Sequence, residues 1–523
     1  MSRNYFSIFN DVLGPVMTGP SSSHSAGCAR IGLTARSLFG GDVRRADIIF
    51  EERGSYPSTY IGQGSDFGFT GGLLGFSTDD ARLKDAVKIA KNEGREIVFK
   101  KDRLLFRHPN EAKIVIYGED GKAELTLMTY SVGGGMFEIT ELDGYDVYIN
   151  GGERLAFAEF GDLSSAGAAE EKLVSLGYKT ETASGDNGAM LTVHLRRGEA
   201  TDAIDALTET DGAVRVRYAE PVMPVLLSGE DAPFRNADEA LEYGRTAQKK
   251  MWELAVDYEK GVGLVSEEKI WPLVGHIADV MERSTVPPDP EKTETYGFLP
   301  YSAEKMKKNS RTVVDAGLLG DAMLAAVSVM ENSCAHNIIV ASPTAGSSGV
   351  VPAAVVTIGK AMGKTDEEIR KALLAAGLVG VFIANQATFG GEVGACQAEN
   401  GSASAMAAAG LVELLGGSVE EGFRAASMAL QNLLGLICDP IAGLTEIPCI
   451  SRNAAALSNA VMSANMALLG FDPVIPLDET ILTMKKVGEQ LPAELRCTCG
   501  GGLCKTPSGC RLAESIEKKR PKL

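Results

Sequence analysis

At about residue 233 the sequence changes its period, and that change constrains the fold more than any other feature. Before it, short β-rich runs at 46–50, 112–117 and 145–149 alternate with helical stretches such as 80–92. After it come Ala-, Leu- and Gly-rich runs at 238–258, 266–281, 314–330, 364–385, 403–415, 419–434 and 452–469. Several are apolar on nearly every face, which suits the central helices of a large all-α domain. The longest continuous apolar run, 372–384, holds 13 residues. It is too short to span a bilayer and reads as a buried helix.

A chain of 523 residues is too long for one hydrophobic core, so several domains are expected. Residues 1–150 read as an α/β or α+β domain and 233–523 as the all-α domain. Between them, 151–225 shows a strand at 154–160, a helix at 165–176, strands at 179–183 and 190–195, a helix at 199–210 and a strand at 214–219. That βαββαβ order is the signature of a ferredoxin-like sandwich, the shape used by ACT-type regulatory domains.

Apolar residues make up 45% and the formal net charge is −18. Such a surface repels a phosphate backbone, so a nucleic-acid partner is not expected, and docking on an anionic membrane is disfavoured. The first ten residues lack the apolar stretch of a signal peptide, so a cytoplasmic location is expected. Nine cysteines stand at 28, 334, 396, 438, 449, 497, 499, 504 and 510. An odd count at wide spacing argues against a secreted disulfide framework and leaves core thiols, a metal site or catalysis.

Three stretches carry chemistry. Gly19-Pro-Ser-Ser-Ser-His-Ser-Ala-Gly27 precedes a helix-like run. Its Ser21, Ser22 and Ser23 and the backbone N–H groups there can hold an anion such as a carboxylate, and His24 can carry a proton. The same turn serves equally as a plain helix cap. Ser342-Pro-Thr-Ala-Gly-Ser-Ser-Gly349 repeats the logic, with Thr344, Gly346 and Ser347 able to grip a small polar ligand, and it too reads as a cap. Cys396, Cys438 and Cys449 are separated by 42 and 11 residues, which is neither a zinc-finger nor a ferredoxin spacing. Each sits beside a Gly, Pro or Asp that marks a turn or helix boundary. Three thiolates from separate helix ends could meet on three irons of a cluster; buried inert thiols fit the spacing as well.

At these stretches the chain resembles the iron–sulfur L-serine dehydratases, in the form where the β and α parts are fused in that order. The β part is similar in Gly14-Pro-Val-Met-Thr-Gly-Pro-Ser-Ser-Ser-His-Ser25 and Glu52-Arg-Gly-Ser-Tyr-Pro-Ser-Thr-Tyr60. The α part is similar in Pro343–Gly346, Ile383–Asn385, Cys396–Glu399, Gly401–Ser404, Cys438–Pro440, Ala442-Gly443, Pro448-Cys449, Arg452-Asn453, Leu491-Pro492 and Gly501–Leu503. The resemblance implies that Cys396, Cys438 and Cys449 ligate a [4Fe–4S] cluster whose fourth iron acts as a Lewis acid on L-serine. A base takes the Cα proton, and the aminoacrylate product tautomerises and hydrolyses to pyruvate and ammonia without pyridoxal phosphate. It implies further that residues 1–150 form an allosteric-substrate-binding-like domain and 151–225 an ACT-like regulatory domain, with serine as their ligand. His24 and Ser21–Ser23 then contact substrate from across the domain boundary. A homo-oligomer, a dimer, is expected through the regulatory part.

The sequence departs from that family in three places. Where the family carries Lys-Gly-His-Gly-Thr-Asp, this chain has Ile61-Gly-Gln-Gly-Ser-Asp66, which removes a cation and a titratable group; Gln63 can hydrogen-bond but cannot shuttle a proton at neutral pH. Ser348 stands where a cysteine is frequent, and Cys334 reads as a core residue rather than its replacement. Cys497, Cys499, Cys504 and Cys510 are extra. They suit a fourth cluster ligand, a small zinc or redox-sensitive clip, or plain surface thiols. Rival functions are elimination from cysteine or threonine, an electron carrier or sensor, and a binding module that has lost catalysis.

Overall fold

The computed structural model describes residues 5–517 apart from 196–206, 208–211, 229–231, 292, 294–296, 310–312 and 315. Strand β1 (Val16–Thr18) leads through the π-helical turn Ser22–Ala26 into the helix Gly27–Phe39. Six strands follow in one sheet: β2 (Arg45–Glu51), β3 (Glu96–Asp102), β4 (Glu111–Tyr117), β5 (Ala123–Gly133), β6 (Met136–Leu142) and β7 (Tyr145–Ile149). Their order is β3-β2-β4-β5-β6-β7. The β2–β3 pair is parallel and every other pair antiparallel. Helix Gly27–Phe39 lays Ile31, Ala35 and Leu38 on one face of this sheet, against Ile48, Ile114, Ile116, Leu125 and Leu127. It also meets the helix Ser65–Leu74 backbone to backbone, since a Cβ on Gly72 would stand 2.2 Å from the Ala29 carbonyl oxygen. Glycine is needed at that crossing because no side chain fits.

The second unit holds β8 (Arg154–Phe160), the helix Leu163–Ser175, β9 (Lys179–Gly185), β10 (Gly188–Leu195) and β11 (Ala213–Ala219). The order is β11-β8-β10-β9, antiparallel throughout. Its own small core includes Phe160, Ala166, Leu173, Leu191 and Val193. The helix expected at 199–210 lies outside the described residues except for Leu207.

The remainder is helical. Helix Asp366–Gln386 buries all of 372–384 at the centre of the largest core, flanked by Met251–Val262 and Ser402–Leu414. Its Thr365 cap and Glu368 form a reciprocal capping box, which sets where the helix begins. The run 238–258 is two helices, Ala237–Ala247 and Met251–Val262, because Gln248 turns left-handed (φ 54°) and ends the first. Among the described residues no single helix is long and apolar enough to cross a membrane.

One small pairing decides the rest. Strand β12 (Ile338–Val340) runs antiparallel to β1, with Val16 opposite Val340 and Thr18 opposite Ile338. Two segments more than 300 residues apart in sequence, each leading into a hydroxyl-rich turn, are thereby brought side by side.

Candidate functional site: a thiol-rich pocket between sheet and helices

Beyond β1 and β12 the two turns touch. The Ala345 N–H donates to Ser22 Oγ over 3.3 Å, and Thr445 Oγ1 donates to the Pro20 carbonyl over 3.2 Å. Ser21, Ser22, Ser23, His24, Thr344 and Gly346 all line one pocket, together with Gln63, Glu392, Glu399, Cys438, Cys449 and Cys497. Ser347 lies beneath that lining; its hydroxyl sits 3.1 Å from Thr344 Oγ1 and orients it. Cys396 lies behind Glu399, its Sγ 3.8 Å from the carboxylate.

Local structure presents the three thiols. Cys396 ends the short helix Gly391–Cys396, after Ala395 at φ 62° and ψ −170°, a strained conformation for a residue with a Cβ. Cys449 is the first residue of the helix Cys449–Leu468. Cys438 lies in an extended segment paired in parallel with Arg496. Gln397 ties two of them together, its backbone N–H donating to the Leu436 carbonyl (3.0 Å) and its Oε1 accepting from the Gly435 N–H (2.9 Å). Asn453 ties the third to the hydroxyl-rich turn, its Nδ2 reaching the carbonyls of Gly346 (2.8 Å) and Cys449 (2.9 Å).

Ligand atoms of Cys396, Glu399 and Cys438 lie within 4.8 Å of one another. Arg452 forks over this group, donating to Asp439 Oδ1 (2.9 Å), the Ile437 carbonyl (2.9 Å) and Cys396 Sγ (3.5 Å). A hydrogen bond from Cys438, with the Arg452 charge added, draws the Cys396 thiol down to about 7 against its burial. Cys438, which gives that bond, is pushed up, and burial pushes Cys449 up. Burial likewise holds Glu399 well above the carboxylate range, with the Cys396 sulfur and Glu392 adding to it, and raises Glu392. Thiols so arranged lose protons readily when a cation takes their place. A Cβ on Gly391 would stand 3.1 Å from Glu399 Cδ and 3.4 Å from Cys438 Sγ, so the glycine keeps the space beside the sulfurs open. Two sulfurs and a carboxylate that converge, a third sulfur lining the same pocket, a cationic neighbour and that open space fit a thiolate-held metal group.

His24 is buried between hydroxyls: Nδ1 lies 2.9 Å from Ser23 Oγ and Nε2 lies 2.9 Å from Thr59 Oγ1. Burial lowers its pKa to about 3, so the ring is neutral at neutral pH. Gln63 is 3% exposed, and its Nε2 has no hydrogen-bond partner among the described residues. Sequence reasoning assigned no role to Glu392, Glu399, Asn110, Arg452 or Asn453. Glu399, Arg452 and Asn453 stand within the quoted motifs, the one signal that marks them. Glu392 and Asn110 meet only across the domain boundary.

The tail thiols part company. Cys497 reaches the pocket and lies within hydrogen-bond reach of Cys438. Cys499 and Cys504 face the Pro440 carbonyl, and Cys510 is exposed. Among the described residues they do not gather on one metal point. Cys334 is buried, as a core residue should be.

Fold and pocket together define a protein of sheet and helical lobes with a thiol-rich site at their boundary. Residues 236–504 match the family model described as the serine dehydratase alpha chain. The probable L-serine dehydratase alpha chain of Bacillus subtilis is 39% identical over 285 residues, covering 54% of this chain and 95% of the relative. The probable beta chain from the same organism is 40% identical over 219 residues, covering 40% and 97%. An L-serine dehydratase of Streptomyces coelicolor is 28% identical over 538 residues, 96% of this chain and 98% of the relative. The chain belongs to the serine dehydratase family, with β-like and α-like parts joined in one polypeptide.

Proposed function

We propose that the protein is an L-serine ammonia-lyase that converts serine to pyruvate and ammonia, using a [4Fe–4S] cluster and no pyridoxal phosphate. The observation that carries this reading is the meeting of the hydroxyl-rich turns with Cys438 and Cys449 in one pocket, with Cys396 directly behind its Glu399 wall. Cys396, Cys438 and Cys449 would hold the cluster, and Cys497, which lines the pocket, would be the resting fourth ligand. When bound, a cluster with one iron not held by protein supplies Lewis acidity that makes a hydroxyl a better leaving group.

The protein's own residues do the rest. Ser21, Ser22, Ser23 and Thr344 offer hydroxyl donors to a carboxylate, Gly346 leaves room for it, and Ser347 holds Thr344 in place. The Gln63 amide adds a donor that no other described residue uses. Burial raises both Glu399 and Glu392, and a carboxylate made more basic in this way suits a group that accepts a proton from Cα. His24, neutral and fixed between hydroxyls, orients the Ser23 side and can relay a proton.

The second unit suits an ACT-like regulatory domain by its β11-β8-β10-β9 order, and the first an allosteric-substrate-binding-like domain. Dimerisation through the regulatory part and a cytoplasmic location complete the reading; a monomer at all micromolar concentrations in sedimentation would dispose of the dimer.

The test is anaerobic purification and reconstitution, with pyruvate formation from L-serine followed beside the visible spectrum, before and after brief exposure to air. Turnover that is lost with the cluster's absorbance is expected. Full absorbance without turnover of serine would sink the substrate assignment. Cys396→Ala, Cys438→Ala and Cys449→Ala should each abolish absorbance and activity, and a variant that keeps both would overturn the ligand set.

A further inference from the structure

The C-terminal segment is buttoned to the loop that presents Cys438. The Cys438 N–H donates to the Leu495 carbonyl over 2.8 Å, and the Cys497 N–H returns to the Cys438 carbonyl over 2.9 Å. Asp439, 2% exposed, accepts from the Leu503 N–H over 2.7 Å on the oxygen that Arg452 leaves free. The last fastening is made of sulfur. Cys499 Sγ and Cys504 Sγ stand 3.4 Å and 3.2 Å from the same Pro440 carbonyl oxygen, and the two thiols are within hydrogen-bond reach of each other.

Three further features make this pair different from two packed thiols. Gly500, Gly501, Gly502 and Leu503 separate the cysteines, and Gly502 holds φ 58°, so the short link can fold back on itself. Cys499 holds φ 55° although it carries a Cβ, a conformation the tail must be fastened to keep. The two sulfurs also differ in access: Cys504 is 7% exposed, whereas Cys499 is half-buried. One sulfur can meet a reagent from solvent while the other waits behind it.

We propose that Cys499 and Cys504 are a reversible thiol–disulfide site, fastening the tail to the Cys438 loop when reduced and loosening it when oxidised. The oxidant is a small-molecule disulfide of the glutathione class. The Cys499 sulfur, giving up its proton, attacks one sulfur of that disulfide, forms a mixed disulfide and expels one small thiolate. The Cys504 sulfur, giving up its proton, then attacks the Cys499 sulfur, forms the internal S–S bond and expels the second small thiolate. Two protein S–H bonds become one S–S bond, and the small disulfide takes both electrons and both protons as two thiols. Both S–H donors leave the Pro440 oxygen in the same event, so the fastening weakens.

The site does not depend on the cluster, so it is tested on both the metal-free and the reconstituted full-length protein without oxygen. Glutathione disulfide is titrated in, remaining thiols are alkylated, and the tail peptide is weighed. The wild type should yield a Cys499–Cys504 link, lighter by two hydrogens and reversed by dithiothreitol. Cys504→Ser should stop at a glutathione adduct on Cys499, and Cys499→Ser, which keeps a donor to Pro440, should give neither product. Hydrogen exchange at the Leu503 amide should quicken about tenfold on oxidation, as a local opening would require. A wild-type pair that stays reduced at every glutathione disulfide concentration, or links instead to Cys497 or Cys510, overturns the site. Unchanged Leu503 exchange in the linked protein overturns the fastening.

Discussion

Asn110 Nδ2, at the entrance to β4, donates to Glu392 Oε1, beside the thiols, over 3.1 Å. The same amide reaches the Ser131 carbonyl over 3.3 Å, so it pins a pocket carboxyl of the helical lobe to the sheet of the other lobe. Asn110 is fully buried, and a carboxyl that loses its donor in such a place is left unsatisfied. Asn110→Ala should therefore lower kcat/KM for serine about tenfold, equivalent to ~1.4 kcal/mol. Cluster absorbance should be unchanged. Steady-state kinetics beside the visible spectrum checks this, and an unaltered kcat/KM would remove Glu392 from the working part of the pocket.

Gln63 predicts two effects of opposite benefit. Its buried Nε2 lacks a partner among the described residues, which costs free energy while the pocket is empty and is repaid when a ligand oxygen arrives. Gln63→Leu should raise the stability of the ligand-free protein by about 1 kcal/mol and raise KM for serine about tenfold. Denaturant unfolding and kinetics read the two separately. A loss of stability with no change in KM would make the residue structural.

Arg452 works through Cys396. Its charge is one of the influences that draw that thiol down to about 7, so Arg452→Gln should raise it again and leave less thiolate at neutral pH. Cluster assembly at pH 7 should fall about fivefold for a shift of one unit and recover above pH 8. The yield of reconstituted absorbance against pH measures this, and a loss that pH does not rescue would assign Arg452 to packing.

His24 makes stability depend on acid. Its pKa is about 3 in the folded chain against 6.5 for the ordinary group. Below 6.5 the unfolded state thus binds a proton that the folded state refuses, so stability falls as pH falls. The slope is about 1.4 kcal/mol per pH unit between 6.5 and 3. Glu392 and Glu399, raised by burial, act in the opposite sense, so the comparison needs a variant. The stability gap between wild type and His24→Gln should narrow from pH 7 to pH 5, as denaturant unfolding at each pH would show. A constant gap would mean that the ring is not held neutral.

Much of the architecture was legible because it is written locally. The run 372–384 is a buried helix because continuous apolarity can be satisfied only inside a core. The strands at 46–50, 112–117 and 145–149 appear within a residue of where alternation places them. Strands β3, β5 and β6 and the helix Ser65–Leu74 escaped notice. Several of these residues face partners that the sequence does not identify, and the mean hydropathy of so glycine-rich a helix gives no amphipathic stripe to read.

The sequence by itself determined the family and the elements whose period is strong, such as the buried helix over 372–384 and the strands at 46–50, 112–117 and 145–149. These follow from side-chain type and short-range spacing, which every residue carries with it. Tertiary structure alone decided that β1 pairs with β12 and so seats Ser22 beside Ala345. It also decided that Glu392 is held by Asn110, that Gln63 keeps a donor unused among the described residues, and that Cys499 and Cys504 share one carbonyl. Those relationships join residues far apart in the chain, and they exist only after burial has removed water from between them and made each polar group depend on its particular neighbour.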